Sequence, residues 1–215
     1  MQQVYLLPGL GNDERVFKYL DFTGIKVVHL PWLMPLPAER IEEYAGRMAA
    51  AITHPKPIII GLSFGGMMAV EIAKHIAVEK IILISSAKGK AEIPFYLRWM
   101  GKTGLQHVLP TTWFLRANAV TYWCFSLKEK EHKQLLQDVF NATNHQLYRW
   151  SGNAILTWAN TQKAAPIVHI HGTDDRILPY RFIQPTHTIP NGGHFMLITH
   201  AKQVSALLRE IINEG

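Results

Sequence analysis

Three consecutive isoleucines, Ile58-Ile59-Ile60, run straight into Gly61-Leu62-Ser63-Phe64-Gly65-Gly66, and these into Met67-Met68-Ala69-Val70-Glu71-Ile72. A short, wholly apolar run ended by glycine reads as a strand covered on both faces, as in a parallel sheet. The chain must then turn sharply into a helix. Gly-x-Ser-x-Gly in that setting forces strained backbone angles on the serine and crowds the positions two before and two after it, hence Gly61 and Gly65. The Ser63 hydroxyl then stands exposed at the strand end, over a helix N-terminus whose dipole favours developing negative charge.

The same strand–helix rhythm extends through most of the chain. Val4–Leu7 ends in Pro8-Gly9, and Asn12 or Asp13 can cap a short helix through about Leu20. Lys26–Leu30 reads as a second strand, stopped by Pro31. From Pro37 a helix places Ile41, Tyr44, Ala45, Met48 and Ile52 on one face. Lys80–Ser85 is a fourth strand, after a helix over 65–76. Pro166–Ile170 and Thr186–Ile189 follow late in the chain, before a C-terminal helix carrying Val204, Leu207, Leu208, Ile211 and Ile212. These alternating elements predict an α/β fold: a mostly parallel, doubly wound sheet of about six strands.

Residues 88–160 interrupt that rhythm, with no strong strand signal over a stretch far longer than an ordinary connection. They hold 12 of the 22 aromatic residues and five of the six tryptophans, with Leu147, Trp150, Ala154 and Trp158 along one helical stripe. The expectation is a helical cap, 88–160, inserted into a core made of 1–87 and 161–215. Most of its aromatics should pack against the core and a few should line a pocket.

Of the net charge of +6, this segment supplies nine Lys/Arg against four Asp/Glu. The basic residues are interleaved with hydrophobic ones rather than gathered in a stripe, which argues against nucleic-acid binding. One cysteine, Cys124, excludes an internal disulfide framework and a multi-cysteine metal site, and among its aromatic neighbours it reads as a small buried hydrophobe. The N-terminus has no basic leader and no apolar window approaches the length of a membrane span, so a soluble cytoplasmic protein is expected.

A serine hydroxyl needs a base to attack. His194, in Asn191-Gly192-Gly193-His194 between the last strand and the last helix, lies where a base can reach back to Ser63. His54, His75, His107, His132 and His200 read as surface residues. His29 and His169 read as core or sheet-face histidines, and His171 is the rival base. The acid comes from His171-Gly172-Thr173-Asp174-Asp175-Arg176-Ile177-Leu178-Pro179, at a strand end where open α/β sheets place their sites. Either aspartate fits, Asp174 being equally suited to cap its own turn.

Through Gly61–Gly66, His171–Pro179 and Gly192–His194 the chain resembles the α/β-hydrolase superfamily over nearly its whole length, in particular single-domain lipase/esterase-like members. The family's H-G-x-x-D-x-x-x-P pattern falls on His171, Gly172, Asp175 and Pro179, and so favours Asp175 over Asp174 as the acid. The resemblance implies an oxyanion hole from the backbone N–H groups of Phe64 and Leu10. Pro8-Gly9-Leu10 stands where the family commonly has His-Gly, and the early strands of many members are lacking. Dimerisation could therefore cover an exposed sheet edge.

The implied reaction is hydrolysis of an ester or related carbonyl through an acyl-serine: Ser63 as nucleophile, His194 as base, Asp175 as acid, with no metal or organic cofactor. The partner is a small-molecule acyl substrate. In the family, dehalogenases and epoxide hydrolases carry aspartate at the elbow, so serine argues against them. Thioesterases and carbon–carbon bond hydrolases share the same three residues, and a non-catalytic binding protein on this scaffold is the alternative from another class.

Overall fold

The computed structural model describes residues 3–104, 117–162 and 165–214. Four wholly or largely apolar runs, flanked by two short edge strands, form a single parallel sheet. They are β1 (Gln3–Leu7), β2 (Lys26–His29), β3 (Ile58–Leu62), β4 (Lys80–Ile84), β5 (Ile167–Gly172) and β6 (His187–Ile189). The order across the sheet is β2-β1-β3-β4-β5-β6, and each neighbouring pair is parallel. The α/β class, the parallel sheet and the number of strands are as the sequence predicts.

Period-two alternation sends the strand side chains to two separate cores. Val4, Leu6, Ile58, Ile60, Leu62, Ile82, Ile84 and Ile170 cover one face with the short helix α7 (Met196–Thr199) and the C-terminal helix α8 (Ala201–Asn213). Tyr5, Leu7, Ile59, Ile81 and Leu83 cover the other, with α1 (Ile41–Ala49) and α2 (Phe64–Ile72). Burial of each such aliphatic side chain contributes roughly 1.5–3 kcal/mol. Helix α2 is buried at every position, which explains a sequence that carries no polar residue except Glu71.

Several elements are shorter than their sequence signals. Asp13, not Asn12, caps the first turn by accepting from the Arg15 N–H, and the turn is a 3-10 helix over Glu14–Phe17. Helix α1 starts at Ile41 and closes before Ile52, while α2 gives way to turns after Ile72.

Between β4 and β5 the described residues form α3 (Phe95–Thr103), α4 (Ala119–Cys124), α5 (Lys130–Ala142) and α6 (His145–Thr157), and no strand. His107, Trp113 and Phe114 lie outside the described residues. Asn144 caps α6 through two backbone N–H groups. The predicted stripe faces the core: Ala154 and Trp158 are buried, and Leu147 and Trp150 half-buried. Two indole N–H groups tie α6 to the core: Trp150 donates to the Glu39 carbonyl (2.8 Å) and Trp158 to Glu71 Oε1 (2.8 Å). No helix among the described residues is long and apolar enough to cross a membrane.

The strand order fixes where a site can form. From β1 the chain goes to β2 on one side, whereas β3 lies on the other. A crevice therefore opens beyond the C-terminal ends of β1 and β3. The turn Pro8–Asp13 and the residue Ser63 stand at that crevice.

Candidate active site

Ser63 occupies φ 51°, ψ −119°, a strained conformation that the neighbouring strands impose. Its N–H donates to the Ile84 carbonyl at 2.9 Å, and its carbonyl accepts from the Ser86 hydroxyl at 2.6 Å. The crowding inferred from Gly-x-Ser-x-Gly is physical. A Cβ on Gly61 would stand 2.4 Å from the Gly65 carbonyl oxygen and the Gly66 Cα. One on Gly65 would stand 2.3 Å from the carbonyl oxygens of Leu7 and Pro8. The Ser63 side chain makes no capping bond to its helix, which leaves the hydroxyl free to face outward.

The loop after β6 brings His194 to that hydroxyl: His194 Nε2 lies 2.9 Å from Ser63 Oγ. On the other edge of the ring, Nδ1 lies 2.8 Å from Asp175 Oδ2. The remaining oxygen, Asp175 Oδ1, accepts the N–H groups of Ile177 (2.9 Å) and Leu178 (2.8 Å). Burial alone would raise the Asp175 carboxyl. The adjacent His194, its hydrogen bond, His171 and the Leu178 N–H outweigh burial, and the group is held below the usual carboxylate range. Asp174 is exposed, and its N–H bonds the Gly192 carbonyl at 2.9 Å. Of the two adjacent aspartates, the structure brings Asp175 alone to a histidine.

Behind Asp175 lie two fully buried histidines on one face of β5. The His171 Nε2–H donates to the Leu178 carbonyl (2.9 Å), and the His169 ring meets it edge-on at 5.3 Å. Neither His169 nitrogen has a hydrogen-bond partner, and Glu92 Oε2 stays 3.9 Å from Nδ1. Burial, with His171 and Lys88 nearby, pushes His169 down to about 3. At neutral pH the ring is uncharged in both folded and unfolded chains. Below about 6.5 the unfolded chain binds a proton that the native state refuses until about 3, so acidification favours unfolding, by about 5 kcal/mol over the whole interval. His169→Leu should therefore flatten the fall of Tm between neutral pH and about pH 4, by about 10 °C. Parallel melting curves for variant and wild type would refute this.

The turn after β1 packs directly on the elbow. A Cβ on Gly9 would be 3.4 Å from the Ser63 Cβ and 2.9 Å from Asn12 Nδ2. Asn12 is 7% exposed and donates to the Leu10 carbonyl at 3.0 Å, which fixes that peptide. The Thr143 hydroxyl, at the end of α5, donates to the Gly11 carbonyl at 2.8 Å. Around Phe64, Trp32 stacks at 5.4 Å and Trp150 meets it edge-on at 6.1 Å. On the far side, Phe125 stands edge-on to the His194 ring at 5.6 Å. Arg176 donates to the Trp123 carbonyl at 2.6 Å and stacks over the Trp123 ring, holding that stretch against the loop that carries Asp175.

A cleft of ≈ 510 Å³ starts at this turn. Pro8 and Asn12 form its inner wall, with Trp32, Leu30, Val139 and Leu147 among its apolar sides. Ser63 and His194 do not line it; Pro8, Asn12 and Trp32 connect it to the elbow. Sequence reasoning gave Asn12 only a capping role and did not single out Trp32. The sole signal was the pair of glycines, of which Gly9 lets the turn approach Ser63 and Gly11, at φ 68°, lies against Thr143 and Tyr148. None of the described aromatics of 88–160 lines this cleft; its aromatic wall comes from outside the segment.

Among the described residues, no histidine besides His194 is hydrogen-bonded to Ser63. His29, read as a core or sheet-face residue, is exposed on the edge strand. His75 is exposed and bonds the Glu42 carbonyl. His54, His132 and His200, read as surface residues, are half-buried. Cys124 is half-buried, and burial pushes its thiol up, which suits a packing role. Among the described residues no three His, Cys, Asp or Glu side chains are placed to hold a metal ion.

Solved structures share this fold at low sequence identity. An esterase from Thermogutta terrifontis matches with a TM-score of 0.73 at 16% identity, over 100% of this chain and 90% of its own. An enol-lactonase from Burkholderia xenovorans matches at 0.73 and 19%, over 99% and 91%. A bromoperoxidase from Bacillus anthracis matches at 0.65 and 16%, over 100% and 92%. No curated protein matches the sequence significantly. The family model described as the alpha/beta hydrolase family matches residues 4–207. With the sheet order and the elbow already described, that match over nearly the whole length means that the chain belongs to the alpha/beta hydrolase family.

Proposed function

We propose that this hydrolase is a serine esterase that cleaves carboxylic esters with an apolar acyl group through an acyl-serine intermediate. The observation that carries the reading is the unbroken line Ser63 Oγ–His194 Nε2 (2.9 Å) and His194 Nδ1–Asp175 Oδ2 (2.8 Å). Similarity to an esterase and to an enol-lactonase, by name a hydrolase of cyclic esters, supports the ester class.

In this reading Ser63 attacks the ester carbonyl while His194 takes its proton. Asp175 holds the imidazole in the required tautomer and stabilises the imidazolium. The N–H groups of Phe64 and Leu10 hold the oxyanion; removal of one such donor typically costs about 10²–10³ in rate. His194 passes the proton to the leaving alcohol, then activates water against the acyl-serine. The acyl group occupies the cleft between Trp32 and α5, and residues 88–160 act as a cap. No step calls for a metal or an organic cofactor, and the enzyme works in the cytoplasm.

The test is a para-nitrophenyl ester series from acetate to octanoate, with a fluorophosphonate probe located by mass spectrometry. The expected result is one probe per chain on Ser63 and turnover that rises as the acyl chain lengthens from acetate. A probe on another residue, or turnover that survives full modification of Ser63, would overturn the reading.

A further inference from the structure

Behind the proposed acid, the polar atoms form a closed circuit that the mechanism above leaves unused. The His171 Nε2–H donates to the Leu178 carbonyl at 2.9 Å. The Leu178 N–H donates in turn to Asp175 Oδ1 at 2.8 Å. The same His171 Nε2 lies 3.6 Å from Asp175 Oδ2, the oxygen that meets His194 at 2.8 Å. Both side chains, His171 and Asp175, are fully buried. The bond to a carbonyl oxygen requires a proton on Nε2, which in a neutral ring leaves Nδ1 bare, and Nδ1 has no partner.

We infer that His171 is a positioning residue: by holding the Leu178 peptide it fixes the rotamer of Asp175, and so the direction from which the carboxylate meets His194. The inference rests on the assignment of Asp175 as the acid. Two features specify the role. A carboxylate on the loop 173–179 with one oxygen on backbone N–H groups can still rotate with that loop, and His171 is the β5 side chain that holds its Leu178 end. With its N–H given to Leu178, His171 Nε2 stands 3.6 Å from Oδ2, too far for a hydrogen bond, and so covers that oxygen without drawing it away from His194. His171 must also stay uncharged, since an imidazolium there would compete with His194 for the carboxylate. The surroundings keep it so. Burial lowers its pKa against the opposing pull of Asp175, the Leu178 bond and Glu92. The other groups around the ring are His194 on the site side, Tyr180 at 6.4 Å, and His169 behind it with Lys88 beyond.

The experiment compares wild type with His171→Leu and His171→Gln, using ester hydrolysis normalised to fluorophosphonate-titrated active sites. A misplaced carboxylate lowers turnover without touching substrate binding, so the leucine variant should lose up to about 100-fold in kcat with KM little changed. The acid limb of its kcat–pH profile should move to lower pH, because a loosened Asp175 stabilises the imidazolium of His194 less. Glutamine, which can still donate to Leu178, should recover much of both. A merely structural role would lower the titrated fraction and leave kcat per site and the pH profile unchanged, which would overturn the inference. Wild type that takes no probe would overturn the assignment of the acid and this inference with it. Should the leucine variant not fold, nitrogen-15 spectra of the wild-type histidines decide. A neutral Nε2–H tautomer at His171 at neutral pH is expected, with its protonation displaced to lower pH by burial. An Nδ1–H tautomer or a doubly protonated ring would overturn it.

Discussion

Replacing Ser63 by alanine is expected to lower ester kcat by about 10⁶-fold and to leave the fold unchanged. The size follows from what the side chain does. Its oxygen is bonded to His194 Nε2 and to no backbone group of α2, so its loss leaves no helix end uncapped. The backbone strain at φ 51° is borne equally by serine and alanine, and Tm should therefore hold within a few degrees. The measurement pairs kcat on the best ester of the series with thermal melting. A variant that melts like wild type and still turns over at a substantial fraction of its rate would remove Ser63 from the chemistry. One that fails to fold would show that the hydroxyl has a structural duty the bonding pattern does not contain.

The second large effect falls on stability. Gly65→Ala places a methyl group 2.3 Å from two carbonyl oxygens, those of Leu7 and Pro8. Neither can retreat. Leu7 is fully buried and paired with Gly61 in the centre of the sheet, and Pro8 follows it directly. The clash must be relieved by moving α2 or the end of β1, both of which pack on all sides. A loss above about 4 kcal/mol is expected, read as a Tm lower by more than about 10 °C. Gly152→Ala is the matched control. It lies inside α6 with nothing within 4 Å of the added carbon, so the substitution should raise stability by about 0.5–1 kcal/mol. Equal effects at the two positions would mean that close backbone approach does not dictate the elbow.

The sheet was legible in the sequence because its central strands are apolar on both sides, a composition that few other elements need. Where that condition weakens, so does the reading. The ends of α2 and of the first short helix are set by turns at Lys74, His75 and Lys18, which local composition does not mark. Ser63 and His194 are separated by 131 residues, yet each sits in a glycine-rich turn at a strand end, and the sheet carries both to one edge. Asp174 and Asp175 are the opposite case. Adjacent carboxylates in one turn differ only in which way the turn sends them, and burial separates them: one exposed, the other closed in by Ile177, Leu178 and His194. The cleft was the least legible feature. It exists because Val139 and Leu147 land opposite Trp32, a tertiary meeting between stretches more than a hundred residues apart.

The two tryptophan anchors of α6 also bear on how such a protein can change its specificity. Exchanging the stretch between β4 and β5 for that of a relative is the obvious route to new substrates, and the loop ends look suited to it. The stretch is not a free cassette. Glu71 lies fully buried in α2, where the Trp158 indole and Lys74 satisfy its carboxylate. An incoming segment without an indole at that place leaves a buried acceptor short of a donor near the C-terminal end of the helix that carries the elbow. A working chimera would have to carry Glu71, together with the Tyr44 and Phe64 rings that receive Trp150, as part of the graft. Recombination in this fold would then trade parts of the sheet's own helices along with that stretch, and the natural crossover points would lie inside the core rather than at the loop ends.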